Sequence, residues 1–347
     1  MKMIIIFKLS CQAFLILSGF DSLFKSGYYQ AMQDKSLTIV SIGGNTLIRK
    51  GEKGTIEEQF AHTEECMAYI AKMASQGKRI VITHGNGPIV GNIVIRNEAA
   101  KDIIPPMPLY ICNADSEGGI GFMIQQALYN QLKKLNARRD VATIVTQVVV
   151  DKNDPAFSKP TKPIGPFYTK EEAERIKQQK GWTIHEDSNR GYRRVVPSPK
   201  PLKVIEADII KRLAMDGVIV IAAGGGGVPV IELPDGKLKG VDAVIDKDLA
   251  TSVLAREIKA ATFIDLTSVE NVYINFGKPD QKALNSLTVK DAKRYHAEGE
   301  FPPGSMGPKI EAAIEFLETG GKEVIITTPE LVEAAIKGKA GTKITPL

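Results

Sequence analysis

A chain of 347 residues, 43% hydrophobic and 24% charged, is long enough to bury a large core in one big α/β domain or in two lobes. Its 45 Lys and Arg against 40 Asp and Glu give a net charge of +5, but the basic residues are scattered and aromatics make up only 6%, so no nucleic-acid partner is indicated. Cys11, Cys66 and Cys112 form no C-x-x-C pair, and His62, His84, His185 and His296 lack zinc-ligand spacing, which argues against a transition-metal site and suits a cytoplasmic protein.

Residues 1–35 differ from the rest. "MKMIIIFKLSCQAFLILSGF" is apolar but broken by Lys8, is too short to span a bilayer and has no clear small-residue cleavage site. We read this segment as an appended leader or a product of an upstream start codon rather than a folded element, with the globular sequence starting near Ser36 and no membrane partner. Leu37–Ile42 then reads as a β-strand without alternation, as expected of a strand covered on both faces, and it runs into Gly43-Gly44-Asn45. A helix over Ile56–Ser75 stops at Gly77, and a second buried strand, Arg79–Thr83, ends in Gly85-Asn86-Gly87-Pro88. Helix pattern follows in "GIGFMIQQALYNQLKKLN" and strand pattern in "VATIVTQVVVD". Such alternation means βαβ units and a parallel sheet.

Asp151–Pro201 breaks the rhythm with seven prolines, which predicts a small protruding unit or lid. From Leu202 the alternation resumes, with strands at "VIVIAA", "ATFIDLT" and "EVIITT" and helices at "DKDLATSVLAREIK", "MGPKIEAAIEFLET" and "PELVEAAIKG".

Three strands thus end in glycine loops: Gly43-Gly44, Gly85–Gly87 and the run Gly224–Gly227. Beyond the carboxyl ends of parallel strands, backbone N–H groups favour anions. No G-x-x-x-x-G-K-[ST] occurs, so positive charge must come from elsewhere. Lys247, at a predicted helix start where the dipole repels cations, is the first candidate; Lys309, just inside a later helix after a Gly-Ser-Met-Gly turn, is the second.

"GGN", "THGNGP", "QVVVDKNDPAFSKPTKPIGPF", "RGYRRVVPSPKP", "GGGGVPV", "GVDAVIDKDLA", "VYINFGKP" and "FPPGSMGPKIEAA", in this order, resemble the carbamate kinases of the amino-acid kinase superfamily from about Leu37 to the C-terminus. The resemblance implies an α/β fold: a three-layer αβα sandwich with a mainly parallel central sheet and a small protruding subdomain. It implies an N-lobe over 36–215 for carbamate or carbamoyl phosphate, the protruding subdomain at about 151–201, and a nucleotide-binding C-lobe over 216–347. It also implies a homodimer in arginine metabolism, with ATP or ADP as substrate and Mg²⁺ carried on the nucleotide phosphates rather than by protein ligands.

Residue by residue, the resemblance places phosphate binding at Gly43, Gly44, Asn45, Gly85 and Asn86. The subdomain lysine is Lys162, the nucleotide-side lysines are Lys247 and Lys309, and Asp248 orients them. Gly224, Gly225, Gly226, Thr267, Val272, Tyr273 and Met306 fall beside the nucleotide. Carbamate is already an anion and needs no general base, so electrostatic positioning by three lysines suits the reaction.

The chain departs from the family at Glu117, where glutamine is usual, at Asp115, at Glu300 and in the Asp187-Ser188-Asn189 turn. Asp115 and Glu117 either weaken carbamate binding or cap the following helix. Two other functions stay open: a superfamily kinase for a larger acid, using Arg190, Arg193 or Arg194 to hold a second carboxylate, and a non-catalytic sensor.

Overall fold

The structure, a computed structural model, describes residues 36–44, 48, 51–187 and 191–347; the segment 1–35, Asn45, Arg190 and most of the 187–189 turn lie outside the described residues. Eight strands form the central sheet. From edge to edge they are Ser286–Thr288, Thr342–Thr345, Glu323–Thr327, Ala260–Leu266, Leu37–Ile42, Arg79–His84, Ile219–Ile221 and Val141–Thr143. Every neighbouring pair is parallel except Glu323–Thr327 with Thr342–Thr345.

The first strand explains the layering. All six of its residues are buried, because Ile39 packs into one core and Val40 and Ile42 into another on the opposite face. The first core is shared with helices Ala207–Met215, Lys247–Ile258 and Met306–Glu318; the second with Ile56–Ser75 and Leu109–Lys134. Each fully buried Ile or Leu in these layers contributes about 1.5–3 kcal/mol. The result is the αβα sandwich that the family resemblance implies. Helix Ile56–Ser75 starts at a capping box, Thr55 with Glu58, which satisfies two otherwise unpaired N–H groups.

The segment after Asp151 forms a separate antiparallel sheet of Lys162–Tyr168, Tyr192–Val196 and Ile184–Glu186, with helix Lys170–Lys180. Its root is apolar: Ile164 and Val196 join Val90, Val94, Leu109 and Cys112. Contact with helix Ile89–Ala100 is made through bare backbone, since a Cβ on Gly91 would lie 2.1 Å from the Gly165 Cα.

Three expectations are corrected. "VATIVTQVVVD" is two strands, Val141–Thr143 at the edge of the central sheet and Gln147–Val150 in a second sheet with Leu238–Gly240, Val228–Glu232 and Pro201–Val204. The break comes at Thr146, whose N–H donates to Glu117 Oε2 and whose Oγ1 accepts from Ala223 N. The helix expected from Gly119 begins ten residues earlier, at Leu109, so Asp115 and Glu117 are interior and cap nothing. Helix Ile89–Ala100, hidden by Gly91, went unread. Strand Ile219–Ile221, on the C-terminal side of the 215/216 division, lies between Arg79–His84 and Val141–Thr143.

Candidate active site

Strand register builds the floor. Ser41 sits between Asp265 on one neighbouring strand and Thr83 on the other, a polar row at the carboxyl ends of three parallel strands. Thr83 Oγ1 lies 2.7 Å from Thr251 Oγ1, which ties the row to helix Lys247–Ile258.

Two helices deliver the charges. Asp246 caps the first, its Oδ1 accepting from Asp248 N at 2.9 Å, and this aims Lys247 and Asp248 at the floor. Lys247 Nζ donates to Ser41 Oγ at 2.8 Å and to Asp248 Oδ1 at 2.5 Å, and lies 3.6 Å from Asp265 Oδ1. Lys309, in the first turn of helix Met306–Glu318, reaches Asp265 at 2.8 Å and Asp248 at 3.3 Å. Lys162, at the start of its strand in the protruding sheet, donates to Asp246 Oδ2 at 2.6 Å. The cluster thus pairs three lysines with three aspartates.

Burial by itself would raise the Asp248 carboxyl, but the ammonium groups of Lys247, Lys309 and Lys162 outweigh it and hold the group well below the usual carboxylate range. For Lys309 burial works downward, and Asp248 and Asp265 overcome it, so its ammonium form is held above the usual lysine range.

The glycine loops close over this cluster. Gly43 N donates to Leu266 O at 3.0 Å and Gly85 N to Ile42 O at 2.9 Å. A Cβ on Gly85 would fall 2.8 Å from Gly44 N and 3.4 Å from Lys247 Cδ, so only a bare backbone lets the two loops and the lysine stem meet. Asn86 Nδ2 is held by Asn113 Oδ1 and Ser116 Oγ, each at 3.2 Å. The third loop packs here too: Gly224 against His84 and Glu117, Gly225 against Asn86, Gly226 against the Ile245 carbonyl. That packing alone accounts for the missing side chains.

The other expected residues are placed as follows. Thr267 follows strand Ala260–Leu266, its N–H donating to Thr327 O. Val272 is buried and Tyr273 pairs with the Phe276 ring on the hairpin Val272–Ile274 with Lys282–Leu284. Met306 opens the helix that carries Lys309. Glu300 Oε2 accepts from Asn275 N at 2.8 Å and so ties that hairpin to the turn before Met306.

Sequence reasoning missed Asp265, Ser41 and Asp246 as partners of the lysines. Asp265 had a signal: it is an acid inside the apolar run "ATFIDLT", and it is 1% exposed. Arg193 is committed to Gly165 O and Asp187, and Arg194 stacks over Trp182 at 4.2 Å.

No group of three His, Cys, Asp or Glu among the described residues has metal-site geometry, and no helix among them is long and apolar enough to cross a membrane.

The profile of the amino acid kinase family matches residues 36–328. The chain is 50% identical over 309 residues to the carbamate kinase of Thermococcus kodakarensis, a match covering 88% of this chain and 98% of that relative. Among solved structures, the carbamate kinase from Giardia lamblia bound to citric acid superposes with a TM-score of 0.85, and the same enzyme bound to AMP-PNP with 0.83. Both are 41% identical and cover 89% of this chain and 98% of the other.

Proposed function

Since the chain belongs to the amino acid kinase family, we propose that it is a carbamate kinase, transferring phosphoryl reversibly between ATP and carbamate to give ADP and carbamoyl phosphate. The observation that carries this reading is the pairing of Lys247 and Lys309 with Asp248 and Asp265 over the ends of the parallel strands, with Lys162 entering from the protruding sheet. Two anions must meet here, and fixed ammonium groups and backbone N–H groups stabilise the charge that builds up between them.

In this reading the loops of Gly43, Gly44, Asn45, Gly85 and Asn86 hold the carbamate and phosphoryl oxygens, with Gly44, Asn45 and Asn86 offering the N–H groups and Gly43 and Gly85, whose own N–H groups donate to Leu266 O and Ile42 O, shaping the loops. Lys247 and Lys309 neutralise the nucleotide phosphates, and Asp248 keeps both ammonium groups aimed. Thr267, Val272, Tyr273 and Met306 line the base and ribose, with Gly224–Gly226 behind the phosphoryl side. Residues 36–215 form the carbamate side, 151–201 its mobile cover, and 216–347 the nucleotide side. Asp246, Asp248 and Asp265 are already bound to lysines, which fits a Mg²⁺ that arrives on the nucleotide phosphates and screens their charge.

Commitment of Arg193 and Arg194 within the protruding sheet disfavours a larger dicarboxylate substrate. Purified protein mixed with ADP, Mg²⁺ and carbamoyl phosphate should form ATP. Absence of ATP together with tight binding of both ligands would leave the sensor reading instead.

The reading includes a homodimer in a cytoplasmic setting. Its support is the edge strand Val141–Thr143, unpaired on its outer side among the described residues, where Phe122 and Tyr129 stand 55% and 59% exposed beside a groove of about 430 Å³. An unpaired edge with apolar neighbours favours pairing with a second copy. Replacing both Phe122 and Tyr129 by Asp should convert a dimer to a monomer in sedimentation equilibrium. A dimer surviving that change would place the interface elsewhere.

A further inference from the structure

Glu117 occupies an unusual place for an acid. It is 1% exposed in the middle of helix Leu109–Lys134; Oε2 accepts from Thr146 N at 2.8 Å, while the equally buried Oε1 has no hydrogen-bond partner among the described residues. An ionised carboxylate left this way loses solvation worth several kcal/mol, whereas a protonated one presents an O–H donor.

A second buried titratable group packs with it against Gly224. His84, 1% exposed at the end of its strand, has Nδ1 3.1 Å from Gly85 O, and a carbonyl only accepts, so Nδ1 carries the hydrogen. Burial pushes the ring down to about 4, with the Lys247 ammonium acting in the same direction, so near neutrality Nε2 is a lone pair. Both groups border one space, since a Cβ on Gly224 would lie 2.3 Å from His84 Nε2 and 3.0 Å from Glu117 Cγ. Both side chains thus pack against the bare Cα of Gly224.

We propose that Glu117 carries its proton on Oε1 and, as a positioning residue, donates it through one bridging water beside Gly224 to Nε2 of His84. The contact fixes the His84 tautomer, and with it the Gly85 carbonyl and the meeting point of Gly85, Gly44 and the Lys247 stem. Charged neighbours favour the neutral pair. Burial first, then the carboxylate of Glu206, raise the proton affinity of Glu117 against the pull of the Thr146 N–H. Glu206 is itself fixed, accepting from Gln147 N at 2.7 Å and Nε2 at 2.9 Å.

A carboxyl whose folded value lies above its unfolded value contributes its full stability below the ordinary glutamate value of 4.5, and that contribution is lost as pH climbs toward the folded value. Glu117→Gln keeps an acceptor for Thr146 and a donor for His84 but cannot ionise, so it should gain on the parent as pH rises. Glu117→Met keeps the volume and loses both.

The test compares the two variants with the parent as full chains. Thermal unfolding should show the melting temperature of E117Q pulling ahead by several degrees between pH 5 and pH 9. Nitrogen-detected NMR of His84 should show Nε2 as a hydrogen-bonded acceptor in the parent and in E117Q, and not in E117M. Resting on the carbamate kinase reading, KM for carbamoyl phosphate should rise about five- to ten-fold in E117M, the size of one neutral hydrogen bond, with E117Q restoring it. A melting difference that ignores pH, or a parent and E117M sharing the same His84 nitrogen shifts, overturns the proposal. Melting and NMR need no turnover, so they stand apart from any failure of the kinase assay; if E117M does not fold, E117Q alone decides through its pH dependence.

Discussion

Lys162→Ala should lower kcat by about 10²–10³, equivalent to ~3–4 kcal/mol of transition-state stabilisation, and leave ADP affinity nearly unchanged. Its side chain stands on the protruding sheet, whose Ile164 is rooted among Val90 and Val94, and its Nζ rests on Asp246 Oδ2 at 2.6 Å. Asp246 is satisfied on its other oxygen by the Asp248 N–H, so it can release the lysine without losing the helix cap. In the carbamate kinase reading, the negative charge that builds between carbamate and the transferring phosphoryl group draws Nζ to itself, so the lysine should contribute mainly at the transition state. Lys162→Arg should recover only part of the rate, because a planar fork does not replace a point charge. Steady-state kinetics beside ADP titration measure both effects; a near-normal kcat would remove Lys162 from the reaction.

Lys309→Met carries the second large effect. The ammonium is buried between Asp248 and Asp265, at 3.3 and 2.8 Å, so its loss leaves two carboxylates sharing only Lys247. Breaking a buried pair costs about 3–5 kcal/mol, a fall in melting temperature of roughly 4–7 °C for a chain of this length. The pH dependence has a definite sign. Asp248 is depressed in the parent, so its contribution is present above the unfolded value of 3.8 and is lost only as pH falls through the folded value below it. The gap between parent and variant should therefore be widest near neutrality and close in acid. Adding Asp265→Asn should restore much of the stability and none of the turnover. Equal melting temperatures at pH 7 would show that the lysine is not needed to hold the carboxylates.

Those effects rest on residues of unequal legibility. Lys247 and Lys309 could be read because a cation at a helix start opposes the dipole, and Leu37–Ile42 and Ala260–Leu266 because a strand buried on both faces is a plain apolar run. Asp265 escaped because one acid in such a run looks like a strand residue until its partners are known. Pairing across strands that are distant in sequence, Ser41 beside Asp265, has no local signature. The split of "VATIVTQVVVD" was equally invisible, since apolar spacing continues through a break imposed by Glu117 and Ala223 from other elements. Glu117 looked like a cap because Gly118 and Gly119 masked the two helical turns before it. The protruding unit was announced by its prolines, yet its three-stranded sheet was not.

The contact of Gly91 with Gly165 sets the narrowest tolerance to sequence drift. Carbon atoms in contact ordinarily stay about 3.5–4.0 Å apart, so a methyl group whose carbon would start 2.1 Å from the Gly165 Cα acts as a shim of more than ~1 Å under the whole protruding sheet. Lys162 is carried on the strand that holds Gly165, and a displacement of that size at a reacting centre is worth about a hundred-fold in rate. In the carbamate kinase reading, the smallest possible enlargement, at a position bearing no charge and far along the chain from Lys162, should detune the reaction while leaving all of its chemistry in place.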